Sequence, residues 1–577
     1  MLEKNEIHNE VKKDEVSANG FSMDVEKVNP FQRFVNSFKP HPNRNIFSEG
    51  SHLGEKYDMH IAMEETAESP LSRTLKSRHL QMIAIGGAIG TGLFVGSGSA
   101  LATGGPANLL IAFFLTGMML FCTVHSLGEM AVLFPVSGSY SVFATRFVDP
   151  AWGFAMSWNY AIGWLINLPL ELVAASITIQ FWQPGVSNAV FVTIFLLLIV
   201  TINMFGARGY GEAEFVFSFI KIIAVVGFII LGIVLNAGGG PNGEYIGGRY
   251  WHDPGAFNNG FKGLCSVFVT AAFSFSGTEM AGLAAAETED PRRTLPKATK
   301  QVFWRITLFY MVSITIVGLL VPYTDPQLLN SESSVDIKAS PFVIAINNAK
   351  IPVLPSIMNT VILISVLSVG NSSVYGSTRI LCSLAEQGQA PRILAYIDRK
   401  GRPMVAIAIA LVVGLLSYLA VLDDYSTVFN WLLAISGLSG IFAWFSINVS
   451  HIRFRRGWKV QGYTLDQLPF KSVVGVFGSY LGATFNGLVL AAQFWIALFP
   501  IGGSPDAADF FMSYLAFPVC ILFYIVFKIV KRTSFVSASQ MDIVTGRRHL
   551  MTPEDWQEEA IEKQSWSRLK RIYRWWC

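Results

Sequence analysis

The run IAIGGAIGTGLFVG, from Ile83 to Gly96, places five glycines (Gly86, Gly87, Gly90, Gly92 and Gly96) within eleven residues of an apolar segment long enough to cross a bilayer. Each glycine costs a helix about 1 kcal/mol relative to alanine, so the cluster needs a physical reason. One reading is close helix packing, because small residues let transmembrane backbones approach, and the four-residue step from Gly86 to Gly90 suits it. The other is a helix that breaks in mid-membrane at Gly90-Thr91-Gly92. A second half-helix beginning near Gly92 would turn unpaired N–H groups and a positive dipole end toward an anion such as a carboxylate. A matching interruption occurs at FSFSGTE, Phe273 to Glu279, which sets small polar residues and an acid inside another apolar run. Unwound carbonyls there could accept hydrogen bonds from an ammonium group. Paired broken helices at corresponding positions point to an inverted-repeat transporter with its substrate near the bilayer midplane.

Working outward, the whole chain reads as membrane-embedded. Its 577 residues are 52% hydrophobic and 14% charged, with mean hydropathy +0.43, whereas soluble domains carry roughly 25% charged residues. Apolar runs lie near 80–102, 107–134, 153–182, 189–205, 215–235, 264–286, 306–321, 354–384, 405–422, 428–449, 481–499 and 510–529. They predict an all-α polytopic membrane protein of about twelve transmembrane helices, since backbone groups in lipid must be satisfied internally and alternating barrel strands are absent. The interrupted runs are the first and the sixth, which suggests a five-plus-five inverted repeat followed by two extra helices. The expected organisation is an N-terminal tail over 1–79, a transmembrane domain over 80–530 and a C-terminal tail over 531–577.

Loops after even-numbered spans hold sixteen Lys and Arg, among them Arg292, Arg305, Arg399 and Arg453, against four (Arg249, Lys262, Lys338 and Lys350) in the alternate loops. By the positive-inside rule both termini face the cytoplasm. The polar N-terminal residues lack the basic start and apolar core of a signal peptide, so insertion is expected to begin with the first span. A net charge of +3 gives no reason to propose a nucleic-acid partner. Four cysteines lie within apolar segments and Cys577 is the last residue, so neither a disulfide framework nor a metal site is visible. No cofactor is expected, and no nucleophile with a placed base suggests an enzyme.

Several stretches resemble the fungal amino acid permease family of the amino acid, polyamine and organocation transporter superfamily. They are GGAIGTGLF (Gly86 to Phe94), SLGEMA (Ser126 to Ala131), PVSGSY (Pro135 to Tyr140), PLEL (Pro169 to Leu172), FSGTE (Phe275 to Glu279), ETEDPRR (Glu287 to Arg293), QVFWRI (Gln301 to Ile306), GNSSVY (Gly370 to Tyr375) and LAEQGQAP (Leu384 to Pro391). The ordered set runs from about Ser69 toward the C-terminus, and its agreement with the general amino acid permease subgroup favours a broad substrate range. The resemblance implies the LeuT-like broken-helix fold and amino acid import driven by the proton gradient. It also implies that the substrate carboxylate meets the amides of Gly90, Thr91 and Gly92, and that the amino group meets carbonyls of Ala88, Phe273, Ser274 and Ser276.

Charges inside spans each need a reason, because one at a helix centre costs at least about 2.5 kcal/mol on insertion scales. Glu279 is expected either to line the side-chain pocket, favouring cationic substrates, or to cap its own unwound helix end. Lys221 lies six residues inside the fifth span and can snorkel to the interface. The resemblance adds that a fifth-helix lysine in proton-coupled relatives stands where sodium-coupled relatives bind their ion, which makes Lys221 a candidate for proton coupling. Glu171, just past Pro169, is a candidate proton carrier or pocket wall, with a structural hydrogen bond as the alternative. Among aromatics Phe275 is the preferred gate, and Arg379 is expected to pair with an acid on a neighbouring helix.

The tail ends RWWC, and an aromatic pair beside Cys577 resembles the family's tail, where palmitoylation is expected; a free thiol is the alternative. Lys4, Lys12 and Lys13 are candidate ubiquitylation sites, so a ubiquitin ligase and trafficking adaptors are expected partners beside amino acids, protons and the lipid bilayer. The reading is a proton-coupled amino acid importer of the fungal plasma membrane that cycles through endosomes. Its rival is an amino acid receptor of the same fold with little or no transport.

Overall fold

The computed structural model describes residues 29–42, 57–87, 89–183, 185–241, 243–329, 340–421, 432, 436–548 and 550–567. Ala88 and Cys577, both singled out above, lie outside the described residues, as do Lys4, Lys12 and Lys13. Among the described residues all regular structure is helical, and strand-like pairing is limited to two isolated bridges, Pro40 with Asp398 and Leu75 with Thr288.

The first apolar run is broken where its glycines cluster. Helix α1 (Ser77–Gly86) ends, the chain leaves helical geometry, and it re-enters at Thr91 through a widened π-turn over Gly92–Gly96. Helix α2 (Ser97–Leu133) follows, and Gly105 divides it at φ 76°, a conformation that suits glycine. Pro106 opens the next helical stretch, a position where its missing N–H costs nothing. The end of the first span and the whole of the second therefore meet at Gly105.

Helix α3 (Pro150–Ile179) is capped by Asp149, whose carboxylate accepts from the Ala151 amide at 3.0 Å. Helices α4 (Asn188–Met204) and α5 (Gly206–Asn236) follow. The second break separates α6 (Gly260–Phe275) from the short α7 (Met280–Leu283), with Gly277 at φ 94° between them. Beyond it run α8 (Pro291–Trp304), a π-helical stretch over Arg305–Val312 and α9 (Ser313–Leu320), then α10 (Leu354–Glu386), α11 (Met404–Gly414), α12 (Ser439–Val460), α13 (Gly475–Leu498), α14 (Ala507–Tyr514) and α15 (Ala516–Lys531).

Among the described residues seven helices are long and apolar enough to cross a membrane, and α14 with α15, bent by 64°, forms an eighth candidate. The apolar helices α4 and α11 are shorter, and the run read over 428–449 falls partly outside the described residues. Helix α10 packs along α3, α6 along α2, and α1 against α5 and α8. The peripheral helices expose large apolar side chains such as Leu197, Phe219, Ile230 and Leu522, the surface a lipid-facing helix presents. Polar residues instead concentrate in the interior, on α3, α5 and α10.

The described parts of the tails are packed onto the body. Ala62 and Met63 are buried, the Ser137 amide donates to Thr66 O at 3.1 Å, and Leu75 donates to Glu287 O at 3.0 Å. From the other end, Val536 donates to Val148 O at 3.0 Å and Arg548 to Leu133 O at 2.9 Å. Thr66 from one end and Val536 and Arg548 from the other thus meet the stretch from Leu133 to Val148 between α2 and α3.

Candidate functional site

The two breaks touch. A Cβ added at Gly92 would lie 2.5 Å from the Ser274 Cα, and one at Gly90 would lie 2.4 Å from a Val369 methyl on α10. The close-packing reading of the glycines is therefore realised at these positions. The break is realised as well, so the two readings describe one feature.

Between the breaks is a cavity of about 20 Å³ lined by Gly90, Thr91, Gly92, Phe273 and Ser276 from the breaks and by Gly163, Trp164, Asn167 and Glu171 from α3. Val369, Ser436 and Ser439 complete it. Such a volume holds roughly one water-sized sphere, so side chains must withdraw before anything larger enters. Helix α3 lines the wall because Trp164, Asn167 and Glu171 follow one another at three- and four-residue steps on one helical face.

Of the acids anticipated, Glu171 stands in the cavity wall. Thr91 Oγ1 donates to its Oε2 at 2.5 Å, while Oε1 finds no partner among the described residues. One turn earlier, Asn167 Nδ2 donates to Ser373 Oγ at 2.8 Å and its Oδ1 is likewise unpartnered among the described residues. The wall thus offers two unused acceptors beside the start of a half-helix, whose first-turn amides have no intrahelical acceptors.

Glu279 lies elsewhere. It accepts from Tyr160 OH at 2.8 Å, Trp444 Nε1 at 3.0 Å and the Gly277 amide at 3.3 Å. Its carboxylate thus braces the second break and ties it to α3 and α12, which is the helix-end alternative. Phe275 is buried against Tyr310, ring centres 4.2 Å apart, and Phe113 at 5.8 Å; it is Phe273 that borders the cavity. The Ser274 carbonyl already accepts from Tyr310 OH at 2.7 Å.

Lys221 does not snorkel. Fully buried, it reaches Glu214 Oε1 at 3.3 Å and Ser368 Oγ at 2.8 Å. Ser368 also donates to Glu214 Oε2 at 2.7 Å, and Ser218 joins Glu214 to the backbone of α1 through Met82 O at 3.1 Å. Sequence reasoning missed Glu214, although its seven-residue offset from Lys221 puts both on one face of α5, two turns apart. Arg379 pairs with buried Glu287 at 3.2 Å, as anticipated, while Tyr375 OH donates to the same carboxylate at 2.5 Å. Arg305, tallied above as a loop charge, is instead fully buried in the π-helical stretch.

A chain with paired broken helices around a small polar cavity, inside an otherwise apolar helical bundle, has the architecture of a multi-pass transporter. Residues 79–540 match the amino acid permease family, and the chain belongs to it. It is 60% identical over 518 residues to the general amino-acid permease GAP2 of Candida albicans, covering 89% of this chain and 88% of that one. It is 56% identical over 525 residues to the general amino-acid permease GAP1 of Saccharomyces cerevisiae, covering 89% and 87%. The histidine permease of Saccharomyces cerevisiae is 49% identical over 525 residues, again 89% and 87%.

Proposed function

We propose that this permease imports a broad range of amino acids by proton symport with alternating access, and that the cavity between the breaks is its substrate site. The observation that carries the reading is Glu171, a buried acid with one unpartnered oxygen beside the amides that open the second half-helix. The substrate carboxylate meets the N–H groups of Gly90, Thr91 and Gly92, favoured by the helix dipole. Its ammonium group meets carbonyls at Ala88, Phe273 and Ser276, with Ser274 a shared acceptor because Tyr310 already uses it. Backbone recognition of these two groups is common to all amino acids, which fits a broad range. Ranking among substrates then falls to the walls, with Trp164, Asn167 and Phe273 nearest.

Glu171 and Lys221 serve proton coupling, Glu171 as the carrier, and Lys221 with Glu214 also holds the interface of α5, α10 and the inner half of the first broken helix. Glu279 braces the second break, and Phe275, packed on Tyr310 beside it, is the proposed gate. The inward voltage adds about 2.3 kcal/mol per 100 mV for each charge carried across the field. Residues 80–530 form the transport domain, and residues 1–79 and 531–577 are cytoplasmic tails serving ubiquitin-dependent trafficking between plasma membrane and endosomes, with Cys577 as a lipidation site.

Uptake of a panel of labelled amino acids into cells lacking their own permeases, at acidic pH with and without a protonophore, tests the proposal. Protonophore-sensitive accumulation of many substrates supports it. Saturable binding or signalling without accumulation replaces it with the receptor reading.

A further inference from the structure

The last carbonyls of a helix have no intrahelical donors, so a helix that ends inside a membrane must find them elsewhere. Two helices end at the breaks: α1 at Gly86 and α6 at Phe275. Both bring the negative end of a helix dipole into the protein interior. One side-chain pair answers both. Arg305 donates through one terminal nitrogen to Ala84 O at 2.9 Å and through the other to Tyr310 OH at 3.3 Å, and Tyr310 OH donates in turn to Ser274 O at 2.7 Å. Arg305 and Tyr310 are both fully buried.

The pairing depends on the π-helical stretch over Arg305–Val312. In a π-turn the hydrogen bond closes between residues five apart, so positions 305 and 310 become neighbours on one face. A regular α-turn would bring together residues three and four apart instead. The cost of the arrangement argues for a use. Among the described residues the hydrogen-bond partners of Arg305 are neutral, Ala84 O and Tyr310 OH, and its Nε has none. A guanidinium so placed in a membrane interior is expensive, and such residues are functional by default.

We propose that Arg305 and Tyr310 form a tie between the two broken helices that sets the spacing of their opposed ends, making Arg305 a positioning residue for substrate binding. The tie acts on backbone carbonyls, one from each broken helix, and not on any substrate side chain. Its loss therefore weakens the shared cradle for every amino acid alike. The inference rests on the reading that the cavity between the breaks is the substrate site.

Tyr310→Phe is the first test, because it removes the hydroxyl and keeps the ring that packs on Phe275 and Phe113. Initial uptake rates are measured against concentration for a small neutral, a large neutral and a cationic amino acid, each normalised to protein at the cell surface. The expected result is a KM raised at least about twofold, since the hydroxyl's bonds to both Arg305 and Ser274 are lost, by the same factor for all three substrates and with Vmax unchanged. Arg305→Gln raises KM similarly, and adding Tyr310→Phe to it has little further effect, because the two groups act in series. Arg305→Lys, which keeps the charge and loses the two-armed geometry, recovers part of the affinity. If Arg305→Gln fails to reach the surface, Arg305→Lys combined with Tyr310→Phe supplies the same non-additivity test.

An unchanged KM in Tyr310→Phe, or losses that simply add, overturns the tie. Asn167→Ala, a wall residue outside the tie, separates the two levels of the argument. If it alters KM while Tyr310→Phe does not, the tie fails and the cavity reading stands; if neither alters KM, the cavity reading itself fails.

Discussion

Replacing Glu214 with glutamine tests what holds Lys221 inside the membrane. The two side chains are fully buried and 3.3 Å apart. At an effective dielectric of roughly 20 their attraction is about 5 kcal/mol, and breaking one side of such a pair costs about 3–5 kcal/mol because the other charge is left uncompensated. Ser368 can still bond Lys221 at 2.8 Å, but a hydroxyl cannot neutralise it. Glu214→Gln is therefore expected to lower the melting temperature of the detergent-purified protein and its amount at the cell surface. The double variant Glu214→Gln, Lys221→Gln removes both charges together and should recover more than half of the loss, since paired neutral replacement of a buried ion pair is often tolerated. The assays are thermal unfolding followed by size-exclusion chromatography, surface labelling, and accumulation of labelled amino acid at acidic pH. If Glu214→Gln is as stable as the parent, the pair does not support the fold as argued. If the stable double variant still concentrates substrate in a protonophore-sensitive way, Lys221 has no part in coupling.

Other perturbations address separate parts of the molecule. Glu171→Gln keeps the shape of the wall and a partner for Thr91 but exchanges no proton, so it should retain exchange of labelled for unlabelled amino acid across the membrane while losing uphill accumulation; loss of both would remove its special place in coupling. Gly92→Ala puts a methyl group 2.5 Å from the Ser274 backbone, where nothing flexible can yield, and should abolish uptake, whereas Gly96→Ala, 3.1 Å from a Thr270 methyl, should cost far less. At the docked C-terminal segment, burial opposes ionisation of Asp542, but Arg146 at 3.8 Å and the amides of Thr545 and Val544 outweigh it and hold the carboxyl below its ordinary range. A depressed value means the contribution is present above the unfolded pKa of about 3.9 and is lost as pH falls through the folded value. Protection from hydrogen exchange over 536–548, taken relative to the intrinsic exchange rate at each pH, should accordingly be steady from neutral pH to well above that point and fall on further acidification, and Asp542→Asn should lower it even at neutral pH by leaving buried Arg146 without its anion.

The breaks were legible because glycine clusters and small polar residues are anomalous in mid-membrane. Arg379 was legible as a member of an ion pair because a charge placed inside an apolar span is expensive unless something compensates it. What stayed hidden depended on three-dimensional neighbours. Glu214 sits in a Gly-Glu-Ala-Glu run that reads as a polar helix start, and only the closure of α10 over α5 seals it from water. Arg305 adjoins a basic stretch and so read as a loop charge; no residue in the run Arg305 to Val312 announces that the helix widens there. Phe273 and Phe275 are equally aromatic, and a two-residue difference along α6 decides that one borders the cavity while the other packs on Tyr310. The docking of the tails rests partly on backbone bonds such as Arg548 to Leu133, which side-chain composition does not encode.

The contact between Gly92 and Ser274 changes how the glycine cluster constrains substrate choice. If the glycines served only to expose amides, a larger residue could stand at position 92 with its side chain turned aside, and the wall could vary there. Because the Ser274 backbone occupies that space, position 92 can carry no side chain, and the two breaks meet there main chain to main chain. A main-chain cradle recognises what all amino acids share and cannot by itself tell one from another. On the proposed reading, discrimination among relatives as similar as a general permease and a histidine permease then falls to the side chains that meet the cavity. In this chain those include Trp164 and Asn167 on α3, Phe273 on α6, Val369 on α10, and Ser436 and Ser439 at the approach to α12. Changes there are expected to alter the ranking of substrates while leaving the proposed shared affinity for carboxylate and ammonium in place, and changes at the backbone of the breaks or at their proposed Arg305–Tyr310 tie to do the reverse.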